Sequence, residues 1–310
     1  MKARTASPMA HEPLDASLFT RPRKADYWND FYQKPASLFE HTMVQRRDYA
    51  HRYIVTHVPK TDRILDLGCG AGVLTEALVA SGYRVTAADL SHDMLELARK
   101  RLAGYLASSY RLVQANCLDL PFDNAEFDVV VSMGMFGYFD EVYKALREVR
   151  RVLRPGGTFI MSVRNPYNLY MADLGRLPFR ALGKLGRALR SRTRRDSAEL
   201  AARPGAAAEA PFRIAIHEDP SALIAGVTYR GYSLVEFDGL GYGPVTFFGK
   251  EFLPARLSIG LSDRLDRFFR RTGLQQRARW VADVSFYVFR ADSTAQRPAD
   301  RRSEELAKVT

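Results

Sequence analysis

Cysteine is scarce in this chain: Cys69 and Cys117 are the only two among 310 residues. With no C-x-x-C pair, the sequence excludes a disulfide framework and a thiolate zinc site, predicts no metal centre, and fits a reducing cytoplasm. Long apolar runs are lacking too. A membrane-spanning helix needs about 18 consecutive apolar residues, so none is expected. Residues 1–24 mix Pro, Ser, His and charge without an apolar stretch, which reads as a disordered leader and not as a secretory signal. Acid is also in short supply. The net charge of +11 invites a nucleic-acid partner, but the excess is local. Residues 61–165 carry 12 Lys/Arg against 13 Asp/Glu, residues 171–203 carry 9 against 3, and residues 250–290 carry 9 against 4. A neutral centre beside basic segments fits an accessory surface contact better than a basic catalytic cleft, so nucleic acid is a disfavoured partner.

What the chain does have is a strand end running into a glycine turn, Arg63-Ile-Leu-Asp-Leu-Gly-Cys-Gly-Ala-Gly72, followed at once by the amphipathic Val73, Leu74, Ala77 and Leu78. Glycines at 68, 70 and 72 let bare backbone N–H groups approach a ligand. Asp66, just before the turn, would repel a phosphate and welcome a cation. The pattern therefore predicts a site for a positively charged, nucleoside-bearing ligand.

Downstream, the alternation of strand and helix is regular: strand 63–67, helix 72–80, strand 83–88, helix 91–107, strand 110–115, strand 127–132, helix 138–153 and strand 157–163. A helix (220–229) and strands at 232–238 and 283–289 follow. Such βαβ rhythm implies a Rossmann-like α/β fold: a seven-stranded, mostly parallel sheet with helices on both faces and the ligand at the carboxyl ends of the strands. The expected domain spans 25–290, with insertions at about 166–211 and 240–281 and a polar tail at 291–310. Tyr27, Trp28, Phe31 and Tyr32 suit one face of a short helix, either at the core edge or as a lid. Asp89 closes the second strand, placed to accept both hydroxyls of a ribose; Ser91 is the better cap for the helix that follows.

Taken in order, Leu65-Asp66-Leu67-Gly68-Cys69-Gly70-Ala71-Gly72, Asp89, Asn116-Cys117-Leu118-Asp119-Leu120-Pro121-Phe122, Phe127-Asp128-Val129-Val130 and Leu153-Arg154-Pro155-Gly156-Gly157 resemble a class I S-adenosylmethionine-dependent methyltransferase of type 11, like those of ubiquinone biosynthesis. The later glycine of dinucleotide enzymes is missing, which disfavours NAD. The resemblance implies S-adenosyl-L-methionine as cofactor. Asp66 would hold its ammonium, with Gly68, Cys69, Gly70 and Gly72 forming the turn against the amino-acid moiety. Asp89 would take the ribose and Leu90 would lie on the adenine. Asn116 stands where the family usually has Asp; its carbonyl would accept from the adenine amine while the Cys117 N–H serves a ring nitrogen. Ser132, ending the fourth strand, would border the cofactor where methyl meets acceptor. In the quinone-modifying relatives a His stands near the place of Tyr138, so Tyr138 and His217, with His41 behind them, are the candidate acid–base groups. Arg47 resembles the arginine that binds the cofactor carboxylate there.

The insertions carry basic amphipathic stretches, 174–195 and 256–271, suited to covering an acceptor pocket or to peripheral membrane contact. The expected function is methyl transfer to a small or lipid-like acceptor, with oxygen as the expected atom. An RNA or protein methyltransferase, or a cofactor-binding protein without turnover, are the alternatives.

Overall fold

The computed structural model describes residues 32, 35, 37–139, 141–165, 220–243, 246–247, 250–251 and 253–293. Tyr27, Trp28, Phe31, the stretch 174–195 and His217 lie outside these residues, so the expectations placed on them are not addressed. A long helix, α1 (Leu38–His57), opens the described chain, capped by Ser37, whose Oγ accepts from the Glu40 N–H at 3.2 Å. There follow β1 (Ile64–Leu67), α2 (Val73–Ala80), β2 (Val85–Asp89), α3 (His92–Leu102), β3 (Tyr110–Gln114), β4 (Phe127–Met133), α4 (Val142–Val152) and β5 (Leu153–Arg164). The second half adds α5 (Pro220–Thr228), β6 (Tyr232–Leu240), a two-stranded hairpin of β7 (Thr246–Phe247) and β8 (Lys250–Glu251), α6 (Ala255–Thr272), α7 (Gln275–Ala278) and β9 (Val284–Ala291).

Seven strands form one sheet in the order β3-β2-β1-β4-β5-β9-β6, with β9 antiparallel to both neighbours and the other pairs parallel. The four residues of β1 are all buried, as a central parallel strand requires. Alternate strand residues feed two cores. One packs Val130, Phe159, Tyr287 and Phe289 against α4 and α5; the other packs Ile64, Val129, Ile160 and Phe286 against α1 and α2. The order reverses between β1 and β4, and the carboxyl ends of those strands mark where such sheets bind ligands.

Three boundaries differ most from the sequence expectation. The helix expected over 91–107 stops at Leu102, and 107–109 form a short 3-10 turn instead. The helix expected from 138 begins at Val142, because Gly134 turns left-handed (φ 84°) and 135–137 form a 3-10 turn that buries Phe136 against Phe159, ring centroids 5.9 Å apart. The last strand of the series starts at Leu153, not 157, since Leu153 already pairs with Phe127 ahead of a register shift.

Candidate functional site

The site begins at Asp66, on a strand buried on both faces and itself only 2% exposed. The Thr75 hydroxyl, one turn into α2, donates to its Oδ2 at 2.6 Å. Burial pushes the Asp66 carboxyl up to about 7; the Thr75 bond opposes this, and the nearby Asp89 charge adds to it. A carboxyl held at that value binds a cation readily, because the cation restores the ionised form.

The turn after β1 is built from three left-handed glycines, at φ 74°, 53° and 74° for Gly68, Gly70 and Gly72. A Cβ on Gly68 would lie 2.9 Å from the Met135 Cβ, and one on Gly72 would lie 2.9 Å from that of Ala98. Gly70 differs: a Cβ there would meet no protein atom within 4 Å, so its bare backbone faces open space. The Gly68 and Cys69 N–H groups both donate to the Ala88 carbonyl, at 2.8 and 3.1 Å, which ties the turn to β2.

Asp89 locks the two loops together. Its Oδ2 accepts from the Gly70 N–H at 2.8 Å and its Oδ1 from the Ser91 N–H at 2.9 Å. Ser91 itself caps α3, accepting from the Met94 N–H at 3.3 Å, so Asp89 is not spent on the helix. Burial raises the Asp89 carboxyl, while N–H donors from Ser91, Gly70 and Leu90 pull the other way. Each of its oxygens keeps a lone pair beyond its backbone partner.

After β3, the Asn116 Oδ1 accepts from the Leu118 N–H at 2.9 Å, closing a local turn. One lone pair of the oxygen expected to meet an adenine amine is thus engaged by the backbone. Cys117 is buried, which pushes its thiol up to about 12, and burial drives the Cys69 thiol well above its ordinary range. Neither is a thiolate at neutral pH.

These residues converge on one cavity of about 170 Å³, lined by Asp66, Gly68, Cys69, Gly70, Asp89, Leu90, Asn116 and Cys117 together with the apolar and aromatic Met43, Met133, Met135, Tyr138 and Phe139. Arg46 and Arg47 both border it. Arg47 turns to Asp48, 2.6 Å away, and lies over the Tyr32 ring. Arg46 instead packs against Gly134, with its Nε buried and without a hydrogen-bond partner among the described residues. Of the two, Arg46 is the one whose Nε is buried without a partner among the described residues, a distinction the sequence did not make. Burial raises the Tyr138 phenol, although Arg46 and Arg164 pull it down.

Two expected residues stand apart. Gly72 does not line the cavity: it is the left-handed N-cap of α2, pressed on Ala98. Ser132 does not line it either, because alternation in β4 turns it away from Met133 and buries it fully in the sheet. His41 is held at the α1–α6 contact, 2.9 Å from the Asp263 Oδ1. Sequence reading also missed Thr75 and Met135; only the helical phase of Thr75, facing β1, signalled the former.

The donor set fits S-adenosylmethionine: a buried carboxylate for an ammonium, a second for a diol, an open glycine between them, and an apolar wall. A family model described as a methyltransferase domain matches residues 65–161. Over 120 residues the chain is 44% identical to a demethylmenaquinone methyltransferase of Clavibacter sepedonicus, covering 36% of this chain and 48% of that one. Over 118 residues it is 32% identical to a ubiquinone biosynthesis O-methyltransferase of Pseudomonas aeruginosa, covering 36% and 50%. The chain thus spans about half the length of these curated relatives. The fold is shared with magnesium protoporphyrin IX methyltransferase of Synechocystis PCC 6803, solved with bound SAH: TM-score 0.55 and 14% identity over 88% of this chain and 97% of that one. By its motifs and these matches, residues 65–161 form a methyltransferase domain, and over that stretch the chain is similar to class I S-adenosylmethionine-dependent methyltransferases of type 11.

Proposed function

We propose that the protein transfers the methyl group of S-adenosylmethionine to a small, lipid-like acceptor bearing an acidic oxygen. The observation that carries this reading is the cavity itself, which joins two buried carboxylates at the glycine turn to an apolar wall of Met43, Met133, Met135 and Phe139. The cofactor supplies an electrophilic methyl on a sulfonium, so the protein's part is to align donor and acceptor. In this reading Asp89, fixed by Gly70 and Ser91, accepts from the ribose hydroxyls, and Asp66 faces the ammonium. Arg46 takes the carboxylate role first given to Arg47. Asn116 and Cys117 border the adenine, with Leu90 on its face.

No histidine lines the cavity among the described residues, and Tyr138, with its phenol raised, is a poor proton acceptor at neutral pH. An acceptor that brings its own acidic hydroxyl, phenolic or enolic, fits such a wall. His217 is the residue to test if a base is needed. Two relatives are named for demethylmenaquinone methylation and for O-methylation in ubiquinone biosynthesis, which supports a quinone precursor as acceptor. A lipid-like acceptor also agrees with peripheral membrane contact near 256–271.

The test is incubation with methyl-labelled S-adenosylmethionine and a cell extract, then separation of lipid, aqueous, RNA and protein fractions. Label in the lipid fraction is expected, with mass spectrometry reporting a methyl ether. Label in RNA or protein would replace the acceptor reading, and binding with transfer to nothing would leave a cofactor-binding protein without turnover.

A further inference from the structure

The outward face of α6 is apolar and cationic, with no acid on it. Leu257, Leu261 and Phe268 are 60%, 46% and 51% exposed. They lie four and then seven residues apart, so they form one stripe along the helix, and Arg264 and Arg271 continue that stripe with Arg267 beside it. The inward face accounts for the packing: Ser262 accepts from the Tyr242 N–H at 3.0 Å, and Leu265 and Phe269 pack on Tyr242, Ala278 and Ala282. Of the outward side chains, Phe268 meets that core edge-on, its ring centroid 5.7 Å from that of Phe269, and stays half-exposed. Both acids of the helix are taken elsewhere. Asp263 turns to α1, accepting from the Gln45 Nε2 at 3.0 Å and meeting the His41 Nε2 at 2.9 Å, while Asp266 pairs with Arg270 at 2.8 Å.

We infer that this stripe is a docking surface for an anionic lipid bilayer. Arginines flanking exposed Leu and Phe match a layer that is negative at its surface and apolar beneath. A second copy of the chain is a poor occupant, because a two-fold contact would set arginines against arginines with no exposed acid to meet them. No described helix is long and apolar enough to cross a membrane, so the contact is peripheral. Asp263 ties α6 to α1, the helix whose Met43 and Arg46 border the cavity, so docking brings the lipid surface to the helix beside the proposed acceptor site. The inference deepens the reading of a lipid-like acceptor and rests on it for its purpose, but it is measured without any acceptor.

The experiment is flotation of the full chain with vesicles of phosphatidylcholine alone and of phosphatidylcholine with an equal molar share of phosphatidylglycerol. Binding to the anionic vesicles, weakened by salt, is expected. Each basic residue near such a surface contributes about fivefold, so Arg264→Gln/Arg267→Gln/Arg271→Gln should lower partitioning about a hundredfold. Leu257→Ser/Leu261→Ser/Phe268→Ser should lower it at least as much. All these side chains are exposed, and unchanged circular dichroism and S-adenosylmethionine binding would confirm intact folds. Wild-type protein that ignores anionic vesicles, or variants that float as well as wild type, would overturn the inference. So would a wild-type dimer in light scattering that the apolar variant converts to monomer, which would make the stripe a protein interface. Intact flotation without methyl transfer would count against the proposed function and leave this surface standing.

Discussion

At the glycine turn the carboxylates facing the cavity already have protein partners: Asp66 has the Thr75 hydroxyl, and Asp89 has the Gly70 and Ser91 N–H groups. The rest of the cavity wall is made largely of methionines and aromatics, Met43, Met133, Met135, Tyr138 and Phe139. The first part is fixed before any ligand arrives, which suits a ligand of one shape. The second is adaptable, since thioether side chains repack readily. One cavity thus combines a rigid, carboxylate-bearing part with an apolar part whose chemistry the wall alone does not dictate.

Substitutions should separate the two parts, beginning with the largest effect. Asp89→Ala removes the ribose acceptor and also frees the Gly70 and Ser91 N–H groups. Two bonds to a charged acceptor at about 1.5–3 kcal/mol each put the loss of S-adenosylmethionine affinity at a hundredfold or more by calorimetry; near-native affinity would remove the assignment. Asp66 should make binding depend on pH. Its carboxyl stands at about 7 in the free protein, so affinity should rise with pH up to about 7 and then level off. Below that point the loss approaches about tenfold per pH unit, and Asp66→Asn should flatten the profile. The same raised value makes the unliganded fold lose stability as pH climbs from the ordinary carboxylate range to about 7. The melting temperature of the wild type should therefore fall over that window relative to Asp66→Asn.

Arg46→Gln should weaken cofactor binding about tenfold, the loss of one charge-assisted hydrogen bond, while Arg47→Gln leaves it near wild type. Equal effects would mean that the two arginines share the role. The smallest change is expected at Tyr138→Phe, where kcat should stay within about threefold because the raised phenol is no base. A loss of a hundredfold, the lower range of a general-base contribution of about 10²–10⁴, would return Tyr138 to the catalytic step.

These contrasts track what could be read from sequence. The parallel series and the placement of Asp66 and Asp89 were legible because a strand end followed by a turn fixes where a side chain stands. Arg46 and Arg47 were not separable, since only packing shows that both border the cavity, Arg47 paired with Asp48 and Arg46 with its Nε buried and unpartnered among the described residues. The helix expected from Tyr138 begins only at Val142, because Gly134 and the depth of Phe136 set a 3-10 turn at Met135–Gly137. Asn116 looked free to recognise adenine, but a short polar side chain beside a turn also bonds its own backbone, and it does so here with Leu118. The apolar residues of α6 suited a lid or a membrane contact in the sequence; the structure shows that Leu257, Leu261 and Phe268 face out.

The central claim is that the glycine turn and its two carboxylates hold a sulfonium-type cofactor and not a dinucleotide. Titrating the purified chain with S-adenosylhomocysteine and, separately, with NAD tests it most directly. The account predicts saturable binding of S-adenosylhomocysteine at one site per chain and none of NAD; no binding of the first, or binding of the second, would contradict it.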